Sequence, residues 1–268
     1  MAGSSLLIRM FLTGLTLFTG SVSESDLLEK AEDAFRKGIE SRDRPAESRP
    51  RFQEAAAGYG ELGRQGAYSA ELCRNQGNAY LLAGNLPRAI LAYRRGLRLA
   101  PGDLNLRTHL DYARAQVAFA ERGNFGRPPS DRLPASLPYF NPYLRLFLAV
   151  LAYALGWTGV FRWWMLRQGS ILGMGTLAFA LAGLLAITLV MEDWSHRQER
   201  SNPLVVIAED GVLMRKGNGL AYPRRYDTPL HRGVEARLLV DRGKWLQIEL
   251  ARGEVGWVPR AYVLVDNP

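Results

Sequence analysis

Two long apolar runs in the middle of the chain constrain its fold more than any other feature. The run 143–161 is interrupted only by Arg145 near its start, and the run 170–191 has no charged residue over 22 positions. About 20 apolar residues in a helix cross the hydrocarbon core of a bilayer. We therefore predict two transmembrane helices, 143–161 and 170–191; buried helices of a globular protein are the alternative.

The connection between the two runs predicts a hairpin. It spans only residues 162–169 and contains Arg162 and Arg167 without any acid, which favours the cytoplasmic side of a membrane. Arg132 and Arg200 flank the other ends, so the charge difference is small. Both flanking parts of the chain should then share the opposite compartment.

The N-terminal segment 1–23 predicts a signal peptide. Arg9 gives the positive flank, 10–20 the short apolar stretch, and 21–23 a small-residue cleavage site. An uncleaved anchor or a buried first helix is the alternative. Together with the hairpin, the signal peptide predicts a two-pass protein of a bacterial inner membrane, with both soluble domains periplasmic.

The composition excludes several function classes. The net charge is +8, but it is spread over the chain, and 142–191 alone contributes +3. A nucleic-acid binder concentrates basic charge on one soluble module, so we predict no nucleic-acid partner. One Cys and three His predict neither a metal cluster nor a cofactor. The sequence contains no phosphate-binding loop, nucleophile elbow or zinc-protease motif, which predicts that the protein is not an enzyme; an envelope enzyme with an unrecognised site is the alternative.

A helical repeat precedes the apolar runs. Within 70–103, small and aromatic residues recur at positions 8, 11, 15, 20, 24 and 32 of a 34-residue unit, the tetratricopeptide (TPR) pattern. These residues are Gly77, Tyr80, Gly84, Ala89, Tyr93 and Pro101. We predict a TPR-like helical domain over 24–122, with further helices at 25–40, 50–62 and 104–120.

Such a helical stack binds peptides or proteins on its concave face. The candidate patch that we predict there consists of Arg74, Asn78, Leu81, Thr108, His109 and Tyr112. Arg74, Asn78 and His109 offer hydrogen-bond donors from adjacent helices and together could bind a carboxylate. The alternative is that they are ordinary surface groups.

We predict two linkers beside the hairpin, a proline-rich one over 123–142 and a second one over 192–202. The segment after them, 203–268, has the pattern of short β-strands. The runs 212–215, 243–245 and 256–258 resemble those of bacterial SH3 domains, which predicts a small SH3-like β-barrel. Rigid aromatic rings suit extended ligands, so Tyr222, Tyr226 and Trp257 are candidates for a peptide groove. Core packing is the alternative for Trp257.

The combination resembles the TPR/SH3 proteins of the bacterial aerotolerance (Bat) operon, the BatE-like family. The resemblance spans essentially the whole chain and is sharpest at 77–80, 84–86, 89–90, 104–115, 137–142 and 256–258. Residues 73–76 and the loop 216–228 depart from the family pattern. The fold class expected is a multi-domain α plus β membrane protein with a TPR solenoid, a transmembrane hairpin and a C-terminal SH3-like barrel.

The resemblance implies a membrane-anchored scaffold of an envelope stress or aerotolerance system. The partners it implies are envelope proteins, among them von Willebrand A-domain proteins and, indirectly, a MoxR-type ATPase. The SH3-like strands leave a second function open, a sensor or anchor that binds the peptides of the cell wall.

Overall fold

The computed structural model describes residues 23–119, 125–128, 141–166 and 169–266. In these residues the chain forms seven α-helices and a small antiparallel sheet, which confirms the α plus β class. The helices are α1 (Glu24–Glu40), α2 (Pro45–Arg64), α3 (Ala70–Leu82), α4 (Leu86–Leu99), α5 (Leu104–Ala115), α6 (Pro142–Leu166) and α7 (Gly169–Ser201). The predicted signal peptide, apart from Ser23, lies outside the described residues, as do 120–124 and 129–140 of the helical domain and linker and residues 167–168 of the loop.

Helices α1 to α5 form a helical unit in which consecutive helices pack against each other. Side-chain caps begin three of these helices: Ser69 accepts from Leu72 N, Asn85 accepts from Arg88 N, and the Asp103 carboxylate accepts from the first turn of α5. Helix α2 begins at Pro45 rather than at residue 50, because proline is well suited to the first turn of a helix.

Small residues set the distance between these helices. A Cβ added to Gly77 of α3 would lie 2.4 Å from the Tyr93 ring of α4, so no larger residue fits there. A Cβ added to Gly96 of α4 would lie 2.9 Å from Leu106 of α5. Helix α5 ends at Ala115 instead of continuing to 120, and Val117 then turns into the core, where it is buried.

Helices α6 and α7 are long and apolar enough to cross a membrane, by length and composition. They pack side by side, and a Cβ on Gly175 would lie 3.2 Å from the Gly156 carbonyl oxygen. Near the start of α6, the buried Arg145 is ion-paired with Glu192 of α7. Helix α7 is 33 residues long and continues through 192–201, so the segment expected to be a linker is helical up to Ser201.

The β unit follows α7 after two residues. Its strands are β1 (Leu204–Ile207), β2 (Glu235–Asp241), β3 (Trp245–Glu249), β4 (Val255–Pro259) and β5 (Val263–Val265). They form an open sheet in the order β4-β3-β2-β1-β5, with every pair antiparallel. A register shift between Leu238 and Val240 bends β2, and a 3-10 turn, Arg260–Tyr262, leads into β5.

The run 212–215 does not form one of these strands. Val212 bridges to Leu230, and Arg215 bridges to both Arg224 and Trp257, so the run adds isolated pairs to the sheet. The Arg215 guanidinium also donates to the Leu220 and Tyr222 carbonyl oxygens, which holds the loop that follows the run.

The helical unit and the β unit share one apolar core. Buried side chains of α4 and α5, such as Ile90 and Leu110, belong to the same cluster as Val206, Ile207 and Leu246 of the sheet. Gly233, just before β2, lies so close to α4 and α5 that a Cβ there would approach Val117 to 2.7 Å. A second core lies between α1, α2 and α3.

Candidate functional site

In the candidate patch on α3 and α5, the side-chain amide of Asn78 contacts both Tyr93 and His109. The Oδ1 atom of Asn78 accepts from the Tyr93 hydroxyl at 2.8 Å and lies 2.8 Å from Nδ1 of His109. An acceptor oxygen at that distance places the proton of a neutral His109 on Nδ1. The Tyr93 and His109 rings also contact each other, with centroids 5.7 Å apart.

Tyr93 holds Asn78 and His109 in place from the interior of the helical unit. Its side chain is fully buried, and burial raises the pKa of its hydroxyl. A buried hydroxyl needs a hydrogen-bond partner, and Asn78 supplies it. The cluster therefore fixes the orientation of Asn78 and His109 on the surface between α3 and α5.

The other members of the candidate patch lie around the cluster. Arg74 does not join Asn78 and His109, because its guanidinium donates to Glu71 one turn earlier at 3.1 Å. Thr108 donates to the Leu104 carbonyl of its own helix, and Leu81 packs partly into the core. Tyr112 is 63% exposed, so it presents most of its ring to solvent. The structure thus brings Asn78 and His109 together and leaves Tyr112 as an open aromatic surface.

The lone cysteine, Cys73, lies on the buried face of α3. Cys73 is buried, and burial raises the pKa of its thiol. Burial also raises the pKa of the neighbouring Tyr68 to about 12. A protonated, inaccessible thiol is a poor nucleophile, so Cys73 has a packing role in this structure.

The three aromatic candidates of the β unit have different neighbours. Tyr222 is half exposed and its ring covers Gly217, whereas Tyr226 packs on the common core. Trp257 is half-buried, and the Arg242 guanidinium lies 5.4 Å from its ring centroid. A Trp beside an Arg is suited to bind flat or extended ligands.

The chain itself covers Tyr226. Phe125, from the segment expected to be linker, packs on the Tyr226 ring with centroids 5.2 Å apart. Gly126 next to it approaches Val234 and Leu230 closely. The local signal of this contact is an aromatic residue, Phe125, at the polar start of the predicted linker.

Two buried carboxylates join the helical unit to the β unit. Glu235 of β2 accepts hydrogen bonds from Nε of Arg114 at 2.6 Å and from Nε of Arg94 at 2.7 Å. Asp266, directly after β5, accepts a hydrogen bond from Nε of Arg95 at 2.7 Å and another from the guanidinium of Arg98. Both carboxylates are at most 2% exposed. Sequence reasoning missed these pairs, because the partners are 121 to 171 residues apart.

Two open clefts lie on the helical unit. One, of about 440 Å³, lies at the turn between α1 and α2 and has side chains of both charges. The other, of about 230 Å³, lies where α3 and α4 meet β5. Among the residues that the structure describes, no group of three or more His, Cys, Asp or Glu side chains is arranged to hold a metal ion.

Compared with protein-family models, curated proteins and solved structures, the chain gives no match.

Proposed function

We propose that this protein is a membrane-anchored scaffold that holds partner proteins close to the bilayer surface. The observation that carries the proposal is the pair of buried carboxylates, Glu235 and Asp266, which join the helical unit to the β unit. Two units that share a core cannot lie on opposite sides of a membrane. The chain between them must therefore cross an even number of times, as a helical hairpin does.

The hairpin fits this requirement. Arg145 near the start of α6 pairs with Glu192 near the end of the apolar part of α7, so both ends of the hairpin lie together. After Trp194, α7 continues to Ser201, and β1 starts three residues later. The β unit is thereby attached to the membrane helix without a long flexible linker. We infer that both units lie in the periplasm, the compartment that the signal peptide predicts.

The two units support finer assignments. In the helical unit, the α3–α4 pair with its Gly77–Tyr93 contact is what a TPR repeat requires, and α5 is suited to close the stack. In the β unit, five short antiparallel strands with a bent β2 and a 3-10 turn before the last strand fit an SH3-like barrel. We propose both assignments.

The partner surface that we propose is the candidate patch. Tyr112 offers an exposed ring, and the Asn78–His109 pair offers a polar group in a fixed orientation beside it. Aromatic anchors next to oriented polar groups are typical of protein-binding surfaces. The resemblance to the Bat family suggests von Willebrand A-domain proteins as partners and, through them, a MoxR-type ATPase. The proposal assigns no catalytic step to the protein.

Photo-cross-linking in intact cells tests this function. A photoreactive amino acid at Tyr112 should cross-link to an envelope protein, whereas the same group at Leu99, a similarly exposed apolar residue of α4, should give a different or no product. The same product, or none, at both positions would contradict the proposed surface. Mass spectrometry of the Tyr112 product identifies the partner and decides whether it contains an A domain.

Trp257 with Arg242 beside it favours a second candidate, binding of cell-wall peptides. The full chain in detergent should then sediment with purified peptidoglycan, and Trp257→Ala should abolish sedimentation. If the wild-type chain stays in the supernatant at low salt, the cell-wall function is excluded and the scaffold remains.

A further inference from the structure

The cleft between α3, α4 and β5 combines an edge strand of the sheet with arginine side chains. It is lined by Gln76, Tyr80, Arg88, Leu91, Leu264 and Val265, together with Ala92 and Arg95. None of these side chains is acidic, and two are arginines. The volume of about 230 Å³ accommodates a few residues of an extended chain but no folded domain.

β5 is the last strand of the sheet on this side. Asp266 N donates to Leu204 O, and Ala208 N donates to Tyr262 O, so residues 262, 264 and 266 form the hydrogen-bonded pairs with β1. By alternation, the N–H and C=O of Val265 and the C=O of Val263 point away from β1. No backbone group among the described residues is bonded to them, so they can pair with one more strand.

Arg88 supplies the charge next to this edge. Its side chain is exposed, its guanidinium lies 5.7 Å from the Tyr80 ring centroid, and no carboxylate pairs with it among the described residues. Arg95 differs, because its Nε is committed to Asp266 at 2.7 Å. Arg88 is therefore the cation of the cleft that can take a carboxylate from outside.

We propose that this cleft binds an extended acidic peptide segment of a partner protein, which adds as a strand to β5 and places a carboxylate on Arg88. Backbone hydrogen bonds to Val265 supply affinity, and Leu91 and Leu264 contact the apolar side chains that alternate with the acidic ones. The charge of the lining selects acidic over basic peptides.

This site is distinct from the candidate patch. Gln76 and Tyr80 follow Arg74 and Asn78 by two positions on α3, which places them about 200° around the helix. The inference therefore goes beyond the scaffold function, and its failure would leave the cross-linking result at Tyr112 unaffected.

Fluorescence anisotropy with the full chain in detergent tests the proposal. The probe is a fluorescein-labelled Glu-Val-Glu-Val-Glu peptide, and the controls are its Lys-Val-Lys-Val-Lys counterpart and an acidic peptide methylated at alternate backbone nitrogens. The acidic peptide should bind at least tenfold more tightly than either control. Equal binding of all three, or no binding of the acidic peptide, would overturn the proposal.

Variants then locate the site. Arg88→Glu should weaken binding of the acidic peptide at least tenfold, while Arg42→Glu, the same charge change at an exposed residue between α1 and α2, should leave binding unchanged. Val265→Pro removes an N–H on the free edge, where proline is tolerated, and should also weaken binding. If Arg88→Glu binds like the wild type, the peptide is held elsewhere and the assignment to this cleft is wrong. The methylated peptide tests the strand geometry even if Val265→Pro does not fold.

Discussion

Arg114 and Glu235 lie 121 residues apart in the chain and form a two-pronged ion pair inside the protein. Nε of Arg114 is 2.6 Å from one carboxylate oxygen of Glu235, and its Nη2 is 3.1 Å from the other. Both side chains are at least 90% buried. Parallel hydrogen bonds between a guanidinium and a carboxylate fix distance and orientation at once, so this pair sets how α5 and β2 meet.

Removing the carboxylate should unfold the junction between the two units. Glu235→Gln leaves Arg94 and Arg114 without their shared anion in a buried position, and we expect a loss of about 3–5 kcal/mol in the free energy of unfolding. Denaturant titration of the full chain in detergent measures it. Glu47→Gln is the matched control, because Glu47 is in an exposed ion pair with Arg44. Equal stability of the two variants would show that the buried pair does not join the units.

Gly233 should tolerate no side chain. Its φ of +90° disfavours other residues, and a Cβ would lie 2.7 Å from Val117 and 3.3 Å from Ile90. Gly211 has a similar φ of +78° but nothing within 4 Å, so Gly211→Ala measures the backbone cost alone. We expect Gly233→Ala to lower the thermal midpoint more than Gly211→Ala does. The additional loss in the free energy of unfolding should be about 1–3 kcal/mol. Equal midpoints would mean that the β unit does not pack on Ile90 of α4 and on Val117 after α5.

Asn78 should stabilise the fold through Tyr93. Asn78→Ala removes the acceptor of a fully buried hydroxyl, and an unsatisfied buried group costs about 1–3 kcal/mol. Thr108→Ala, which removes an exposed hydroxyl bonded only within its own helix, is the control and should change the unfolding free energy little. If both substitutions have the same effect, the polar cluster is not formed.

Cys73 should make stability fall at alkaline pH. Burial raises the pKa of the thiol in the folded chain, so the unfolded chain loses this proton at lower pH. The contribution of Cys73 to stability is therefore complete at neutral pH and declines as the pH rises above about 8.5, the value of a free thiol. Between pH 7 and pH 10 the wild type should lose more unfolding free energy than Cys73→Ala. Identical losses would mean that the thiol is not held protonated.

The parts of the fold that local patterns encode were predictable from the sequence. The two apolar helices follow from uninterrupted hydrophobicity, α1 from helical periodicity, and α3 and α4 from the 34-residue repeat pattern. The ends of α5 and α7 differ from the predicted ones. Val117 packs into the core and ends α5 early, whereas α7 continues because no helix breaker lies between 192 and 201.

The candidate sites could be predicted only in part from the sequence. Helical spacing placed Asn78 and His109 on adjacent helices, and the structure puts them in contact. The ion pairs of Glu235 and Asp266, the Phe125–Tyr226 contact and the cleft beside β5 depend on residues far apart in the chain. No local pattern encodes such pairings, since each member looks like an ordinary surface or loop residue.

Labelling of single cysteines with a membrane-impermeant maleimide tests whether the helical unit and the β unit lie on the same side of the membrane. In a Cys73→Ala background, cysteines are placed at Glu32 of α1, at Glu209 after β1 and at Leu166 at the end of α6, all exposed. We expect Glu32→Cys and Glu209→Cys to label alike in cells with a permeabilised outer membrane, and Leu166→Cys to be labelled only after the inner membrane is broken. Labelling of Glu32→Cys and Glu209→Cys from opposite sides of the inner membrane would contradict one shared body on one side of the membrane.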